Sequence, residues 1–302
     1  MIWAGTTDEL LHALDVAPAG ETLQLHAGTL VAPRGGFVVP RGMRIEGAHP
    51  LRNRVRGGTI IQPASPDDHG LVIPQGVDNV TIVDVIVRGP GQAGNGDGIH
   101  LAQTGTPSCV ELHDVFVWGC GRDGIHLESA DHSIDLLVVD GCMSHHNGRH
   151  GLYIRNTYGA NLRGGYYARN GRCGIALDGC ASASLRDLSM EANQQTGPAS
   201  DFEPLLWLRG GYAHNVDGCR FEDWARGRGA RAAITVEDAS GVRITGCSFV
   251  QPDPTPSRGI LFRNHCDACD VGLNTWTHVT QRTDIDASCS GIAVRDPQAV
   301  HG

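Results

Sequence analysis

The chain has no lysine: all 24 basic side chains are arginine, against 33 acidic ones, for a net charge of −9. That balance argues against a general attraction to nucleic acid or to anionic membrane surfaces. An all-arginine complement fits a GC-rich genome, and it also supplies forked donors matched to carboxylates. Aromatic residues are scarce, at 5%. Beyond the N-terminus there are no long stretches with i, i+3, i+4 apolar spacing, which excludes a helical solenoid. Long apolar runs are missing as well, so no segment is expected to span a bilayer. The start, Met1-Ile-Trp-Ala4, lacks the basic lead and apolar core of a secretory leader. The expected location is the cytoplasm, with a virion or export by another route as alternatives.

Glycine is abundant, with 41 residues, and it recurs in a pattern. Gly96-Asp-Gly-Ile-His-Leu101 returns as Gly121-Arg-Asp-Gly-Ile-His-Leu127, Gly148-Arg-His-Gly-Leu-Tyr-Ile154 and Gly171-Arg-Cys-Gly-Ile-Ala-Leu177. The last glycines of these copies, Gly98, Gly124, Gly151 and Gly174, are 26, 27 and 23 residues apart. An earlier copy is Asp68-His-Gly-Leu-Val-Ile73; degenerate later ones are Ala233-Ile-Thr-Val236, Gly259-Ile-Leu-Phe262 and Gly291-Ile-Ala-Val294. A second motif, apolar-x-x-apolar-x-apolar, runs in step with the first, as in Ile82/Val85/Val87 and Leu112/Val115/Val117. A period in the twenties built from glycine and alternating apolar residues predicts stacked coils, each with at least two short parallel strands. The predicted fold is an all-β, right-handed parallel β-helix, its hand set by the crossover rule. One domain over 1–302 is expected, with a capping helix over 6–15 and coils over 20–295. A loop-rich insertion is expected over 190–232, where Trp207 and Trp224 offer a flank or a groove wall.

Among the ten cysteines, Cys142, Cys219 and Cys247 fall in one apolar slot of the second motif, and so should stack as small buried hydrophobes. His265-Cys-Asp-Ala-Cys269 has a zinc-like spacing, but no second pair matches it. No metal is therefore expected.

In each glycine-apolar-x-apolar strand the apolar pair points inward and the residue between them outward. The outward column reads Val72, His100, His126, Tyr153, Ala176, and the next outward column reads Pro74, Ala102, Glu128, Arg155, Asp178. The corner before the glycine reads His69, Asp97, Asp123, His150, Cys173, and before that stand Arg122, Arg149 and Arg172. Three consecutive coils thus gather Asp97, Asp123, Glu128, three histidines, one tyrosine and several arginines, which a merely solvated face does not require.

The short N-terminal helix, then Gly20-Glu-Thr-Leu-Gln-Leu-His-Ala-Gly-Thr29, then the coils, resemble the pectin-lyase-like β-helix superfamily over residues 6 to 295. That resemblance implies the fold; the superfamily holds lyases, hydrolases, epimerases and non-catalytic fibres. Asn147-Gly-Arg-His-Gly-Leu152, with Gly121-Arg-Asp-Gly-Ile125 one coil earlier, further resembles the catalytic coils of mannuronan C5-epimerases. It implies substrate contact at Arg149 and His150 and an acid at Asp123, with Glu128 where the family has an aspartate. The preceding coil departs from the family: Asp97 replaces its tyrosine, His100 its aspartate and Ala102 its histidine.

These residues suit abstraction of the proton alpha to a uronate carboxylate, which needs a base, an acid and cations for the developing enediolate. His150 and His126 are the expected proton-transfer pair, with Tyr153 as alternative acid and Asp123 orienting a histidine. Arg149 and Arg155 are expected to grip the carboxylate, with Arg122, His100, Asp97 and Glu128 completing the groove. Return of the proton gives a C5-epimerase; loss of the 4-linked sugar gives a lyase. Competing readings are a glycoside hydrolase using paired carboxyls, a cytoplasmic isomerase or cyclase of a small metabolite, and a non-catalytic, trimeric glycan-binding fibre. The expected partner is a glycan or sugar-like molecule, without nucleic acid or membrane. No cofactor is called for, and calcium is left open.

Overall fold

A computed structural model describes residues 1–48, 57–103, 109–130, 134–193, 204–224, 232–252 and 256–296, leaving the side chains of 102 and 103 aside. It is a parallel β-solenoid. Three sheets run along it, with 12, 10 and 10 strands among the described residues. All named strand pairs are parallel, and each strand pairs with its counterparts one coil away; Ile125–Ser129, for example, lies between Ile99–Gln103 and Leu152–Arg155. Each coil has three strands, in keeping with the expected minimum of two, and the second motif supplies two of them. It spans two strands that meet at a sharp corner, and the corner residue is left-handed in eight successive coils: Asp84, Asp114, Gly141, Gly164, Asp187, Gly218, Gly246 and Leu273. Aspartate and glycine tolerate that conformation best, which explains most of the column.

The inward residues stack by type. Ile99, Ile125, Leu152, Ile175 and Leu206 form one column, and Leu101, Leu127, Ile154, Leu177 and Leu208 another, all essentially without exposure. Register is therefore fixed, because a one-residue slip would turn both columns to solvent. The glycine of the repeat is needed for room: a Cβ on Gly124 would lie 1.9 Å from the Ser144 Oγ and 2.7 Å from the Gly151 carbonyl oxygen. At a neighbouring corner the buried amides of Asn147, Asn170 and Asn193 form a ladder. Each accepts a backbone N–H from the coil before it, and Asn147 Nδ2 and Asn170 Nδ2 each donate to the next Oδ1 at 2.9 and 2.8 Å.

The helix runs Thr7–Val16, capped by Thr6 in a reciprocal box with Glu9, and buries Leu10, Ala13 and Leu14. It packs against the first strand, Ile2–Ala4. No described helix is long and apolar enough to cross a membrane. The cysteines are free, and eight of the ten are buried. Cys142, Cys219 and Cys247 sit in the core as expected. The Cys266 and Cys269 thiols donate to backbone carbonyls at 3.2 Å.

Two expectations change. The middle of 190–232 is an ordinary coil, with strands Leu206–Arg209, Asn215–Asp217 and Arg220–Glu222; residues 194–203 and 225–231 lie outside those described. Trp224 is buried, with Nε1 donating to the Arg258 carbonyl at 2.9 Å, so it builds core rather than a groove. The copy at Gly291-Ile-Ala-Val294 joins the twelve-stranded sheet beside Asp270 and Val271, whereas Gln281–Ile285 continues the sheet that carries the other copies.

Candidate active site

The sheet built from Ile99–Gln103, Ile125–Ser129, Leu152–Arg155, Ile175–Asp178 and Leu206–Arg209 aligns His100, His126, Tyr153, Ala176 and Trp207 in one outward column. The rings stack. His69 lies 4.3 Å from His100, His100 5.2 Å from His126, and His126 5.0 Å from Tyr153, with interplanar angles of 16°, 18° and 22°.

The corner residues do not line the outer face; they are inside. Asp97 and Asp123 are fully buried and His150 is 3% exposed. Each corner side chain accepts the backbone N–H of the next corner. Asp97 N–H donates to His69 Nδ1 at 3.0 Å, Asp123 N–H to Asp97 Oδ1 at 2.9 Å, His150 N–H to Asp123 Oδ1 at 2.9 Å, and Cys173 N–H to His150 Nδ1 at 3.2 Å. A buried backbone donor needs such a partner, so the column has a structural task before any chemical one.

Two of these corners repeat a triad. Arg122 Nε donates to Asp97 Oδ1 at 2.9 Å, its Nη2 reaches Asp97 Oδ2, and His100 Nδ1 lies 2.8 Å from Asp97 Oδ2. One coil on, Arg149 Nε donates to Asp123 Oδ1 at 2.8 Å, its Nη2 reaches Oδ2, and His126 Nδ1 lies 2.8 Å from that same oxygen. Burial alone would raise both aspartate pKa values, but the arginine and histidine donors outweigh it and hold them below the usual range. A carboxylate only accepts, so the contact favours a proton on His100 Nδ1 and leaves its Nε2 a lone pair, whereas His126 lies between two acceptors, Asp123 at Nδ1 and Glu128 at Nε2.

The two histidines then differ. His126 is 3% exposed, and its Nε2 faces Glu128 Oε2 at 3.2 Å. His100 has a side chain 20% exposed, and no described residue hydrogen-bonds its Nε2. His150 is held neutral: burial pushes its pKa down to about 3, with Arg149 and Arg172 adding to the effect against Asp123. The Cys173 N–H occupies its Nδ1 lone pair. Tyr153 donates to Asp178 Oδ2 at 3.3 Å, and the Arg149 guanidinium carbon lies 4.9 Å from its ring centroid. Burial, then Asp178 and Glu128, raise the Tyr153 pKa to about 12, so the phenol keeps its proton. Arg155 donates to Glu128 Oε1 at 2.9 Å with its side chain 46% exposed.

The structure therefore brings all ten expected site residues together but divides them. Asp97, Asp123, Arg122 and Arg149 form the clasps, His126 and His150 are covered, and His100, Tyr153, Glu128 and Arg155 reach the surface. Two sets of atoms are close enough to hold a cation: His69, Asp97 and His100, and Asp97, Asp123 and His126. In both, arginine already occupies the carboxylates, and the His69 Nδ1 lone pair is taken by a backbone N–H. Trp207 and Asp178 join the site from outside the expected set. Leu206-Trp-Leu208 has the right alternation, but Leu205 stands where the repeat has its glycine. His69 was visible in its corner slot; its ring contact with His100 was not.

No curated protein matches the chain in sequence. Solved structures do resemble it. An alginate lyase from Paenibacillus is 11% identical, covering 96% of this chain and 98% of its own, with a TM-score of 0.72. A mannuronan C-5 epimerase A-module from Azotobacter vinelandii is 16% identical, covering 95% of each chain, with a TM-score of 0.58. The enzymatically active domain of tailspike protein 2 of bacteriophage CBA120 is 12% identical over 95% of this chain and 44% of its own, with a TM-score of 0.72. At such identities these likenesses speak for the fold. Residues 97–276 match the family described as the right handed beta helix region, and with more than half its length matched, the chain belongs to the right-handed β-helix family.

Proposed function

We propose that the protein is a carbohydrate-active enzyme that removes the proton alpha to the carboxylate of a uronic-acid unit, as a C5-epimerase or a lyase. The observation that carries the reading is the Asp97–His100 pair: a buried, arginine-clasped carboxylate behind a partly exposed imidazole to whose Nε2 no described residue hydrogen-bonds. In this reading His100 is the base, in place of the covered His126 and His150. Tyr153, two rungs away and protonated at neutral pH, is the acid. It delivers a proton to the opposite face of the sugar in epimerisation, or to the leaving oxygen in elimination. Arg155 grips the carboxylate and lowers the energy of the enediolate. Similarity to an alginate lyase and a mannuronan epimerase supports the substrate class.

A hydrolase reading keeps one specific support. Glu128 and Asp178 share a column on either side of Arg155, two rungs or roughly 10 Å apart along the backbone, near the span that inverting carboxyls need. Asp97 and Asp123 are unsuited to that task, being buried and clasped. Proton NMR in D2O on a panel of polyuronates and their oligomers separates the readings. Loss of the C5 proton with altered couplings identifies an epimerase, and vinyl signals a lyase. New reducing ends with neither would favour the hydrolase, and an unchanged panel would overturn the uronate reading.

A further inference from the structure

Beyond Tyr153 the outward column continues through Ala176 to Trp207, in strands paired residue for residue. Ala176 is 1% exposed, so the surface at that rung is made by its neighbours rather than by its own methyl group. Trp207 is half-buried and held in place. Its Nε1 donates to Glu237 Oε2 at 3.0 Å, and the Arg209 guanidinium carbon lies 5.4 Å from its ring centroid. Glu237 is itself fixed by Arg263 at 2.9 Å and by Asn264 at 2.7 Å. These contacts fix the orientation of an indole that remains partly open to solvent.

The second outward column lies beside it. Glu128, Arg155, Asp178, Arg209 and Glu237 alternate in sign, rung by rung. Glu128 binds Arg155 at 2.9 Å, whereas Arg209 stands 4.0 Å from Asp178 with its side chain 51% exposed. Two half-exposed guanidinium groups, Arg155 and Arg209, are thus spaced two rungs apart along one edge. A single sugar on His100 and Tyr153 would use neither Trp207 nor Arg209.

Resting on the proposed function, we infer that the outward face of this sheet holds an acidic oligosaccharide laid along the solenoid axis. Trp207 is the stacking platform for a sugar distant from the reacting one, and Arg209 is the grip for that sugar's carboxylate. The apolar face of a pyranose packs on an indole, and the neighbouring guanidinium adds a forked, charge-assisted contact. The substrate is then a chain of uronates, and a small metabolite is excluded.

The test is a length series of oligouronates, read by calorimetric binding and by turnover in NMR, on the wild type, Trp207→Ala, Trp207→Phe and Arg209→Gln. The wild type should gain affinity once the oligomer is long enough to reach Trp207. Trp207→Ala should lose that increment, about three- to tenfold, and Trp207→Phe should keep most of it. Arg209→Gln should weaken binding of long acidic oligomers and flatten its salt dependence. Turnover without any gain with length, or a full gain in Trp207→Phe and Trp207→Ala alike, would overturn the platform while leaving the proposed function standing. Wild-type protein that neither binds nor turns over any member of the series would overturn both.

Discussion

Replacing Asp97 by asparagine separates the structural task of the corner column from its chemical one. The amide keeps an oxygen for the Asp123 N–H and for Arg122 Nε, which now donate at 2.9 Å each. It loses the charge opposite Arg122 and places an N–H group where Oδ2 accepted from Arg122 and His100. Breaking a buried ion pair on one side costs about 3–5 kcal/mol. The Arg122 side chain is 29% exposed and keeps some water, so the expected loss is at the lower end, about 3 kcal/mol. Denaturant titration at neutral pH reads it. The imidazole should respond by moving its proton to Nε2, which removes the outward lone pair. Turnover should then fall by about a hundredfold or more, the usual worth of a positioned base, and the 15N shifts of His100 should report the other tautomer. A folded Asp97→Asn protein with wild-type turnover would refute His100 as base. Wild-type stability would refute the clasp as an energetic unit.

Acid should destabilise the protein in two stages. Burial lowers His150 to about 3 and His214 to about 4, below the ordinary 6.5, so the unfolded chain binds protons that the folded one refuses. His69 and His145 are likewise lowered to about 4 by burial, so stability falls as pH drops from about 6.5 towards 4, by about 1.4 kcal/mol per pH unit for each such group at full effect; His214→Leu should remove about one proton from that slope. Asp97 and Asp123, with depressed pKa values, add stability above about pH 4 that is lost below it. Asn170→Ala deletes an amide that accepts from Asn147 N–H and Nδ2 and donates to Ser144 O and Asn193 Oδ1. It should cost about 3 kcal/mol or more in denaturant titration, and a loss below about 1 would contradict the ladder. In thiol titration of the native protein, Cys109 and Cys289 should react first, because the other eight are buried. Rapid reaction of all ten would contradict the packed core.

Much of the fold was legible because the repeat encodes it directly: glycine where a Cβ would strike the next coil, and apolar pairs where two columns stack. What escaped was the corner. The spacing Ile82/Val85/Val87 does not itself show that a sharp corner falls inside the motif, with Asp84 in a left-handed turn. In the coil at 204–224 the second motif was legible through Cys219, but the strand Leu206–Arg209 was missed because Leu205 replaces the marker glycine. Site membership was readable from the columns, but the direction each side chain takes was not. Asp97, Asp123 and His150 precede the glycine at a bend, where period-two alternation does not apply. They turn inward to capture backbone N–H groups. Because of that inward turn the proposed base is His100 rather than the buried His150.

The most direct test of the account is deuterium uptake from D2O at the carbon alpha to the carboxylate of an oligouronate, followed by NMR for the wild type and His100→Gln side by side. The account predicts exchange or elimination at that carbon with the wild type, and a fall of about a hundredfold or more with the variant. Wild-type rates in a folded His100→Gln protein would contradict it.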